Sequence, residues 1–298
     1  MKTYLECIPC FFNQAIEAAR NAGASAKKQK LIVDRIAQVL PSFPFSATPP
    51  EMGRIIYSIV SDITEIKDIY AEVKHKSNER ALSVYPIARK KVISSSDRLL
   101  TALELAVSGN VIDYGIKNKL DVDAELKKIL KKEKTKIKSE KKGLFQYKKF
   151  RQALKGSRTI LYCVDNAGEI VFDKLLMEEI RLYYPDIRII CAVKAKPIIN
   201  DALLSDALYC QMDRVSEIIS SGSEAPGTVL KQCSKEFRRV FRKADMIISK
   251  GQGNFETLSK VRGPIFYLFM AKCPVVAKHV RGDMGDYILI DNPTAIKL

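Results

Sequence analysis

The chain has 298 residues, of which 47% are hydrophobic and 28% charged, and its formal net charge is +16. This length and apolar content can form a large core in one or two domains, so an intrinsically disordered chain is excluded. No apolar stretch reaches the roughly 18 residues of a membrane-spanning helix, and the N-terminus lacks the layout of a secretory signal. We expect a globular, enzyme-sized protein of the cytoplasm without a membrane partner.

The seven cysteines are too sparse, and odd in number, for a secreted disulfide framework. Most are scattered singly, but Cys7 and Cys10 form a C-x-x-C pair. A single C-x-x-C pair supplies only two of the four ligands of a structural zinc site. A C-x-x-C redox motif would lie after a β-strand, and the six residues before Cys7 are too few to form one. The pair stays open between a structural or latent-disulfide role and metal or redox chemistry.

The first half of the chain is predicted to be helical nearly throughout. Apolar residues recur there with a period close to 3.6, and capping residues or glycines flank the periodic stretches. Gly23 is predicted to end the first helix, and Gly109 with Asn110 to end the last. The predicted helices span 11–22, 28–40, 48–63, 78–93 and 97–108. We expect an N-terminal all-helical domain over residues 1–156.

The positive charge is concentrated at the end of this half. Residues 127–156 hold twelve Lys and one Arg against two Glu, a net charge of +11. The pattern over 124–139 is that of a helix with a narrow apolar stripe and a solvated cationic face. Such a face binds polyanions without sequence specificity, so we expect no specific nucleic-acid partner.

After Gly156 the pattern changes to alternating strands and helices, which is typical of parallel βαβ units. The predicted strands are 159–164, 187–193, 246–248, 265–270, 274–280 and 287–290. The prediction for residues 157–298 is a Rossmann-like, three-layer α/β/α domain with a mostly parallel sheet.

Polar clusters follow three of these strands, namely Asp165 to Glu169, Asn200-Asp201 and Lys250 to Asn254. Ligands of open parallel sheets bind outside the carboxyl ends of the strands, so the clusters are predicted to share one pocket. Taken singly, each cluster is also an ordinary turn or helix cap.

The residue types in these clusters suit a phosphate ester. Asp165, Asn166 and Asp201 offer hard oxygen ligands for Mg²⁺ or Mn²⁺. Gly168 allows a sharp turn into a helix whose N-terminus favours an anion, and Lys250 with the amides of 251–254 forms a second anion cradle.

Six stretches resemble the domain-of-unknown-function-89 family of metal-dependent damage-control phosphatases, in particular its prokaryotic branch with an N-terminal C-x-x-C. They are Glu6 to Cys10 with Gln14, Lys74 to Asn78 with Ala81-Leu82, Ser108 to Gly115, Val164 to Asp173, Pro197 to Ala202, and Ser249 to Thr257. The stretches follow the family's order along nearly the whole chain.

The resemblance implies a divalent cation (Mg²⁺, Mn²⁺, Co²⁺ or Ni²⁺) held by Asp165, Asn166 and Asp201. It also implies that Lys250 binds the substrate phosphate, with Gln252 and Asn254 nearby. Asn110 and Asp113 would reach the pocket from the helical domain. Other branches of the family carry an acidic residue where this chain has Gln252.

The predicted reaction is hydrolysis of a small phosphomonoester, such as a sugar phosphate or a damaged phosphorylated metabolite. The nucleophile is left open between a water molecule and the carboxylate of Asp165. Glu169 is a candidate for positioning water or moving a proton. It could equally be an acidic residue in the first turn of a helix, where the helix dipole favours a carboxylate. The predicted catalytic residues are therefore Asp165, Glu169 and Lys250, and the predicted substrate-binding residues are Gly168, Asn110, Asp113, Lys250, Gln252 and Asn254.

Two other functions are compatible with parts of the pattern. An S-adenosylmethionine-dependent methyltransferase would bind its cofactor at the same edge of the sheet. It would need a glycine-rich turn after the first strand and an acidic residue at the end of the second, and the sequence shows no clear example of either. A nucleic-acid-binding protein would rest on the basic segment, where Phe145, Tyr147 and Phe150 are the available aromatic residues. The sequence leaves the oligomeric state open.

Overall fold

The computed structural model describes the backbone of residues 1–117 and 143–292 and the side chains of 1–109 and 143–292. Helices occupy the first half, as predicted, and α3 begins with a capping box in which the Thr48 amide donates to the Glu51 carboxylate at 2.7 Å. The helices are α1 (Cys7–Asn21), α2 (Ala26–Val39), α3 (Pro49–Thr64), α4 (Ala71–Ile93), α5 (Arg98–Lys117) and α6 (Tyr147–Gly156).

The second half forms a six-stranded sheet with the order β3-β2-β1-β4-β5-β6, in which only β6 runs antiparallel to its neighbour. The order reverses between β1 and β4, which places a crevice at the carboxyl ends of these two strands. The strands are β1 (Thr159–Cys163), β2 (Arg188–Val193), β3 (Glu217–Ser220), β4 (Met246–Lys250), β5 (Ile265–Met270) and β6 (Tyr287–Asp291). The helices are α7 (Glu169–Tyr183), α8 (Leu204–Tyr209), α9 (Lys235–Lys243), α10 (Gln252–Leu258) and α11 (Pro274–Val280).

Helices cover both faces of the sheet, which confirms the predicted three-layer α/β/α architecture. One buried cluster joins the sheet to α7 and also to α4, α5 and α6, and the opposite face packs against α9, α10 and α11. The helices α1, α2 and α3 form a smaller core of their own. The predicted boundary at residue 156, between domains 1–156 and 157–298, therefore does not coincide with a break in the core, because α4 to α6 pack with the sheet.

Several predicted elements are wrong in type or extent. Helix α4 begins at Ala71 and not at residue 78, and α1 begins at Cys7 and not at residue 11. Helix α5 does not end at Gly109 but continues to Lys117. A Cβ on Gly109 would lie 3.0 Å from the Phe172 ring, so this glycine permits close packing of α5 on α7. Residues 274–280 form the helix α11 instead of a strand, since Pro274 occupies its first turn and the Cys273 thiol accepts from the Val276 amide at 3.5 Å.

The edge strand β3 was not predicted, since it has four residues, all of them exposed or only partly buried. Among the described residues, we find no helix with the length and apolar character needed to cross a bilayer.

Candidate active site

The loops after β1 and β4 meet at the crevice. Asp165 and Asn166 follow β1, and Gly168, with φ of +78°, turns the chain into α7. Gly251 follows β4 with φ of +79°, and a Cβ at this position would lie 2.1 Å from Asp165 Oδ2. The Asp165 carboxylate thus occupies space that only a glycine at position 251 leaves open.

The third cluster pairs directly with the first. Asn166 and Asp201 form an isolated antiparallel bridge, in which the Ala167 amide donates to the Asn200 carbonyl at 2.9 Å. The Ala202 amide donates to the Asp165 carbonyl at 2.8 Å. These backbone bonds bring Asp165, Asn166 and Asp201 to one place, although Asp201 is distant from the other two in the sequence.

All three side chains line a cavity of about 520 Å³. Gln252 and Gly253 at the start of α10 contribute to the same wall, and Lys272 follows β5. The opposite wall comes from α1 and α3, through residues that include Cys7, Cys10, Phe11, Gln14, Glu17, Pro49, Pro50 and Tyr57. The cavity therefore lies between the small helical core and the carboxyl edge of the sheet.

The cavity floor carries closely spaced carboxylates. Burial, followed by the charges of Asp201 and Glu169, raises the pKa of Asp165 well above its usual range, and Lys272 opposes this shift. Burial also raises the pKa of Asp201 to about 6, although Lys194 opposes it from 3.4 Å. This ion pair is made by Asp201 Oδ2, a buried oxygen with no shorter polar contact among the described residues. Such a group favours a bound cation.

The side-chain amide of Asn166 is also oriented to bind a cation. Its Nδ2 donates to Asp165 Oδ2 at 2.9 Å and to Glu169 Oε2 at 3.3 Å, which leaves the carbonyl oxygen as the atom for a ligand. In the described part of the chain, no three His, Cys, Asp or Glu side chains form a metal-binding group. A cation here would rest on two carboxylates and one amide oxygen, with water and phosphate completing its shell, as is usual for Mg²⁺. The donor set fits a hard divalent cation.

Lys250 lies beneath the cavity, not in its wall. Its side chain is 0% exposed, and its ammonium group donates to Glu169 at 2.6 Å, to Asp173 at 2.5 Å and to the Ala106 carbonyl at 3.0 Å. Burial by itself would lower the pKa of Lys250, but the charges of Asp173 and Glu169 raise it above its ordinary value. The predicted contact between Lys250 and the phosphate does not fit this arrangement, because the ammonium group already has three acceptors.

Glu169 and two predicted substrate-binding residues, Gly168 and Asn254, also form hydrogen bonds within the protein. Glu169 pairs with Lys250 and supports Asn166. The Gly168 amide donates to Asn78 Oδ1 at 2.7 Å. The Asn254 side chain is fully buried, donates to the Lys250 carbonyl at 2.7 Å and accepts from the Thr228 hydroxyl at 2.7 Å. None of the three lines the cavity, so the geometry gives them a supporting role instead of direct contact with substrate.

The other predicted substrate-binding residues are Gln252, Asn110 and Asp113. Gln252 lies in the cavity wall, where its side chain accepts from the Lys272 amide at 3.0 Å and donates to Glu256 at 2.9 Å. The backbone of Asn110 and Asp113 belongs to α5, and their side chains lie outside the described residues. Their predicted approach to the pocket stays a prediction.

Four further residues shape the site and had no predicted role, namely Asn78, Asp173, Lys194 and Lys272. Asn78 and Asp173 were within stretches that carry the family resemblance, but no role followed from their spacing. Lys194 is buried and donates to the Gly227 carbonyl. No local sequence signal marks such long-range partners.

The C-x-x-C pair lies at the start of α1 and lines the cavity together with Cys273. All three are free thiols, and burial raises the pKa of Cys7 and of Cys273. The pair is therefore next to the candidate active site, and its predicted redox, metal or structural role remains open.

Comparison with known proteins assigns the chain to a family. Residues 3–288 match the family described as the damage-control phosphatase ARMT1-like domain. The chain belongs to this family. It is 33% identical to the damage-control phosphatase of Pyrococcus horikoshii, over 98% of this chain and 99% of that protein. It is 34% identical to a damage-control phosphatase of Archaeoglobus fulgidus, over 85% of each chain.

A solved structure of the same family agrees with this assignment. The crystal structure of a DUF89 family protein from Pyrococcus horikoshii matches with a TM-score of 0.87 and 32% identity, over 98% of this chain and 99% of that one. An uncharacterized protein of Methanocaldococcus jannaschii is 35% identical, over 96% of this chain and 94% of that protein. Membership in the ARMT1-like family supports a phosphatase, and hence a hydrolase, role. It confirms the predicted family resemblance.

Proposed function

We propose that this ARMT1-like protein is a divalent-cation-dependent phosphatase that hydrolyses small phosphomonoesters, such as sugar phosphates or damaged phosphorylated metabolites. The observation that carries the proposal is the convergence of Asp165, Asn166 and Asp201 on one cavity between α1, α3 and the sheet. A cavity of about 520 Å³ suits a small metabolite, not a nucleic-acid strand. Family membership favours this function over the methyltransferase alternative.

The three oxygen ligands would hold Mg²⁺, Mn²⁺, Co²⁺ or Ni²⁺. When bound, such a cation supplies positive charge to the oxygens of a phosphoryl group. The Lys250 and Glu169 pair below the floor fixes the Asn166 amide, since Glu169 accepts from both. Either a water molecule or the Asp165 carboxylate attacks phosphorus while the bond to the ester oxygen breaks, and the leaving oxygen takes up a proton to give the alcohol. If Asp165 attacks, water then hydrolyses the phosphoaspartate and regenerates the carboxylate.

The proposal is tested by phosphate release from a panel of sugar phosphates and an aryl phosphate. The protein is first stripped of metal, and each cation is then added back alone. We expect at least one cation to restore turnover in the wild type, and Asp201→Ala to lower it by about a hundredfold or more. Asp165→Asn is expected to be similarly impaired.

Asp213→Ala is the matched control, because Asp213 is an exposed aspartate outside the cavity. It should retain the wild-type rate within about twofold. Silence of the folded wild type with every cation would refute the phosphatase, whereas full activity of Asp201→Ala would refute the cation site.

A further inference from the structure

Three thiols that the proposed hydrolysis does not use line the cavity, those of Cys7, Cys10 and Cys273. All seven cysteines of the chain lie within the described residues as free thiols. Cys10 is the only exposed one, Cys7 and Cys273 are partly buried, and the other four are buried. A thiol-reactive molecule in solution therefore reaches Cys10 before any other cysteine, and it does so at the wall of the candidate active site.

Cys7 and Cys10 are spaced for a disulfide. They are the first and fourth residues of α1, so their Cα atoms are about 5 Å apart in a regular helix. Disulfides join Cα atoms that are about 4.4–6.8 Å apart. The Cys10 sulfur also lies 3.9 Å from the Glu6 carbonyl oxygen, so its side chain points back towards the start of the helix, where Cys7 lies.

The first turn of α1 can close to form this bond. Pro9 lies between the two cysteines and has no amide hydrogen, and the first amides of any helix lack partners within it. Glu6 supplies no side-chain cap at this end. Moving the Cys10 sulfur onto Cys7 therefore need not break the hydrogen bonds of the later turns of α1.

Cys273 is a poorer partner for Cys7. Its sulfur accepts from the Val276 amide and from Gln252 Nε2, each at 3.5 Å, and the first of these bonds caps α11. A disulfide between Cys7 and Cys273 would draw this sulfur away from both donors. Cys10 lies inside α1 and caps no helix, so its sulfur can move with less loss of hydrogen bonding.

The reduced pair is not stabilised as a thiolate. Burial raises the pKa of Cys7, a backbone hydrogen bond at Tyr4 opposes this shift, and the nearby Glu256 adds to it. Dithiols that hold a stabilised thiolate form disulfides that are easily reduced, because the reduced state is then favoured. Cys7 lacks this advantage, so a disulfide with Cys10 would persist until a thiol reductant removes it.

We infer that Cys7 and Cys10 are a thiol-disulfide exchange site that frees the cavity wall of low-molecular-weight thiols. The Cys10 thiolate attacks a small disulfide, such as oxidised glutathione, so that a mixed disulfide forms and one glutathione thiolate leaves. The Cys7 thiolate then attacks the Cys10 sulfur, the mixed disulfide breaks, and the second glutathione thiolate leaves. The two leaving thiolates take up the two protons that the cysteines release, and Cys7 and Cys10 are left joined. A thiol reductant restores both.

The test exposes the reduced protein to oxidised glutathione, alkylates the remaining thiols and measures the masses of the intact chain and its peptides. The wild type should lose two of its seven thiols without keeping glutathione, and one peptide should contain Cys7 and Cys10 as a disulfide. Cys7→Ser should instead keep one glutathione on Cys10. Cys10→Ser should react about tenfold more slowly, because its remaining cysteines are shielded. The matched control Cys273→Ser, which changes the third thiol of the cavity, should behave like the wild type.

Three results would overturn the inference. They are a glutathione adduct that persists on the wild type as it does on Cys7→Ser, a disulfide between Cys7 and Cys273, and no loss of thiols in the wild type. None of these measurements requires a substrate, so they stand even if the protein hydrolyses no phosphomonoester.

Phosphatase activity, where the protein has it, gives a second readout. The adduct on Cys7→Ser places a tripeptide in a cavity of about 520 Å³ that a small substrate must enter. We expect the adduct to lower the turnover of this variant by about tenfold or more, and a thiol reductant to restore it. The wild type should keep its rate within about twofold after the same treatment, because a disulfide adds no bulk to the wall. Unchanged turnover of the Cys7→Ser adduct, or an equal loss in the wild type, would contradict the clearing role.

Discussion

At the scale of single residues, the contact between Asp165 and Gly251 explains why two distant loops form one site. Asp165 follows β1, Gly251 follows β4, and the carboxylate of the first lies where a side chain of the second would be. Gly251 also has φ of +79°, which L residues with a side chain rarely adopt. The glycine is therefore required twice, by the backbone angle and by the neighbouring carboxylate.

Gly251→Ala should displace Asp165 and strain the backbone. We expect turnover to fall by about a hundredfold and the free energy of unfolding to drop by about 1–3 kcal/mol. Gly156→Ala is the matched control, because a Cβ on this last residue of α6 would have no neighbour within 4 Å and Gly156 lies outside the cavity. Steady-state kinetics and denaturant unfolding of both variants check the prediction, and equal behaviour of the two would contradict it.

The roles of long polar side chains were the hardest residue-scale feature to predict. The clusters around Asp165, Asp201 and Lys250 follow from strand ends, and the structure brings all three to one cavity, the third through Gln252 and Gly253. The direction of the Lys250 side chain does not follow, because it depends on Glu169 and Asp173 across the interface between β4 and α7. Periodicity places a residue on an element, whereas its partners depend on how elements pack.

At the scale of elements, α4 ties the helical half to the site. Asn78 on α4 accepts from the Gly168 amide at 2.7 Å and donates to Asp206 at 2.8 Å, so it joins the start of α7 to α8. One turn away, Lys74 lies 2.7 Å from Asp68 and 3.9 Å from Asp206. Close packing accompanies these bonds, since a Cβ on Gly168 would lie 2.9 Å from Ser77.

Asn78→Ala should leave the buried Gly168 amide and one Asp206 oxygen without this partner. We expect the free energy of unfolding to fall by about 2–3 kcal/mol, as is usual when buried polar groups lose a hydrogen bond. Denaturant unfolding measures the loss, with Asn13→Ala on the exposed face of α1 as the control. A change as small as that of the control would show that α4 does not hold the loop through Asn78.

Element types were predicted well where the pattern was long, and poorly where it was short. The helical first half and five of the six strands followed from periodicity, and the bounds of each of these five strands agree with the prediction to within two residues. The seven-residue helix α11 was predicted as a strand because its apolar run is too short to show a period. The same brevity hid the edge strand β3, which has four residues.

At the scale of the whole molecule, the segment that carries most of the positive charge is separate in sequence from the residues of the candidate active site. Part of the basic segment 127–156 is structural, because α6 buries Phe150 and Leu154 against the sheet, and Phe150 makes a T-shaped contact with Phe266 at 5.5 Å between ring centroids. Residues 118–142, including the whole helix predicted over 124–139, lie outside the described residues. The cavity wall in turn is rich in carboxylates. Net charge alone therefore does not locate the function.

A cation at the site should stabilise the entire fold. Asp165, Asn166 and Asp201 come from loops that meet only in the folded chain, so the unfolded chain offers no comparable site. A ligand bound only by the folded state raises its stability by about 2.7 kcal/mol at a concentration of 100 times Kd. For a chain of this size, we expect Mg²⁺ to raise the Tm by several degrees.

Thermal unfolding of metal-stripped protein with and without Mg²⁺ measures this effect, and a chelator should reverse it. Mg²⁺ is the informative cation because it prefers oxygen ligands, so the neighbouring thiols of Cys7, Cys10 and Cys273 do not compete for it. Asp201→Ala should lose the rise in Tm, while Asp213→Ala should keep it. An equal rise in Tm for wild type and Asp201→Ala would place the bound cation elsewhere, because the measurement reports binding independently of any substrate.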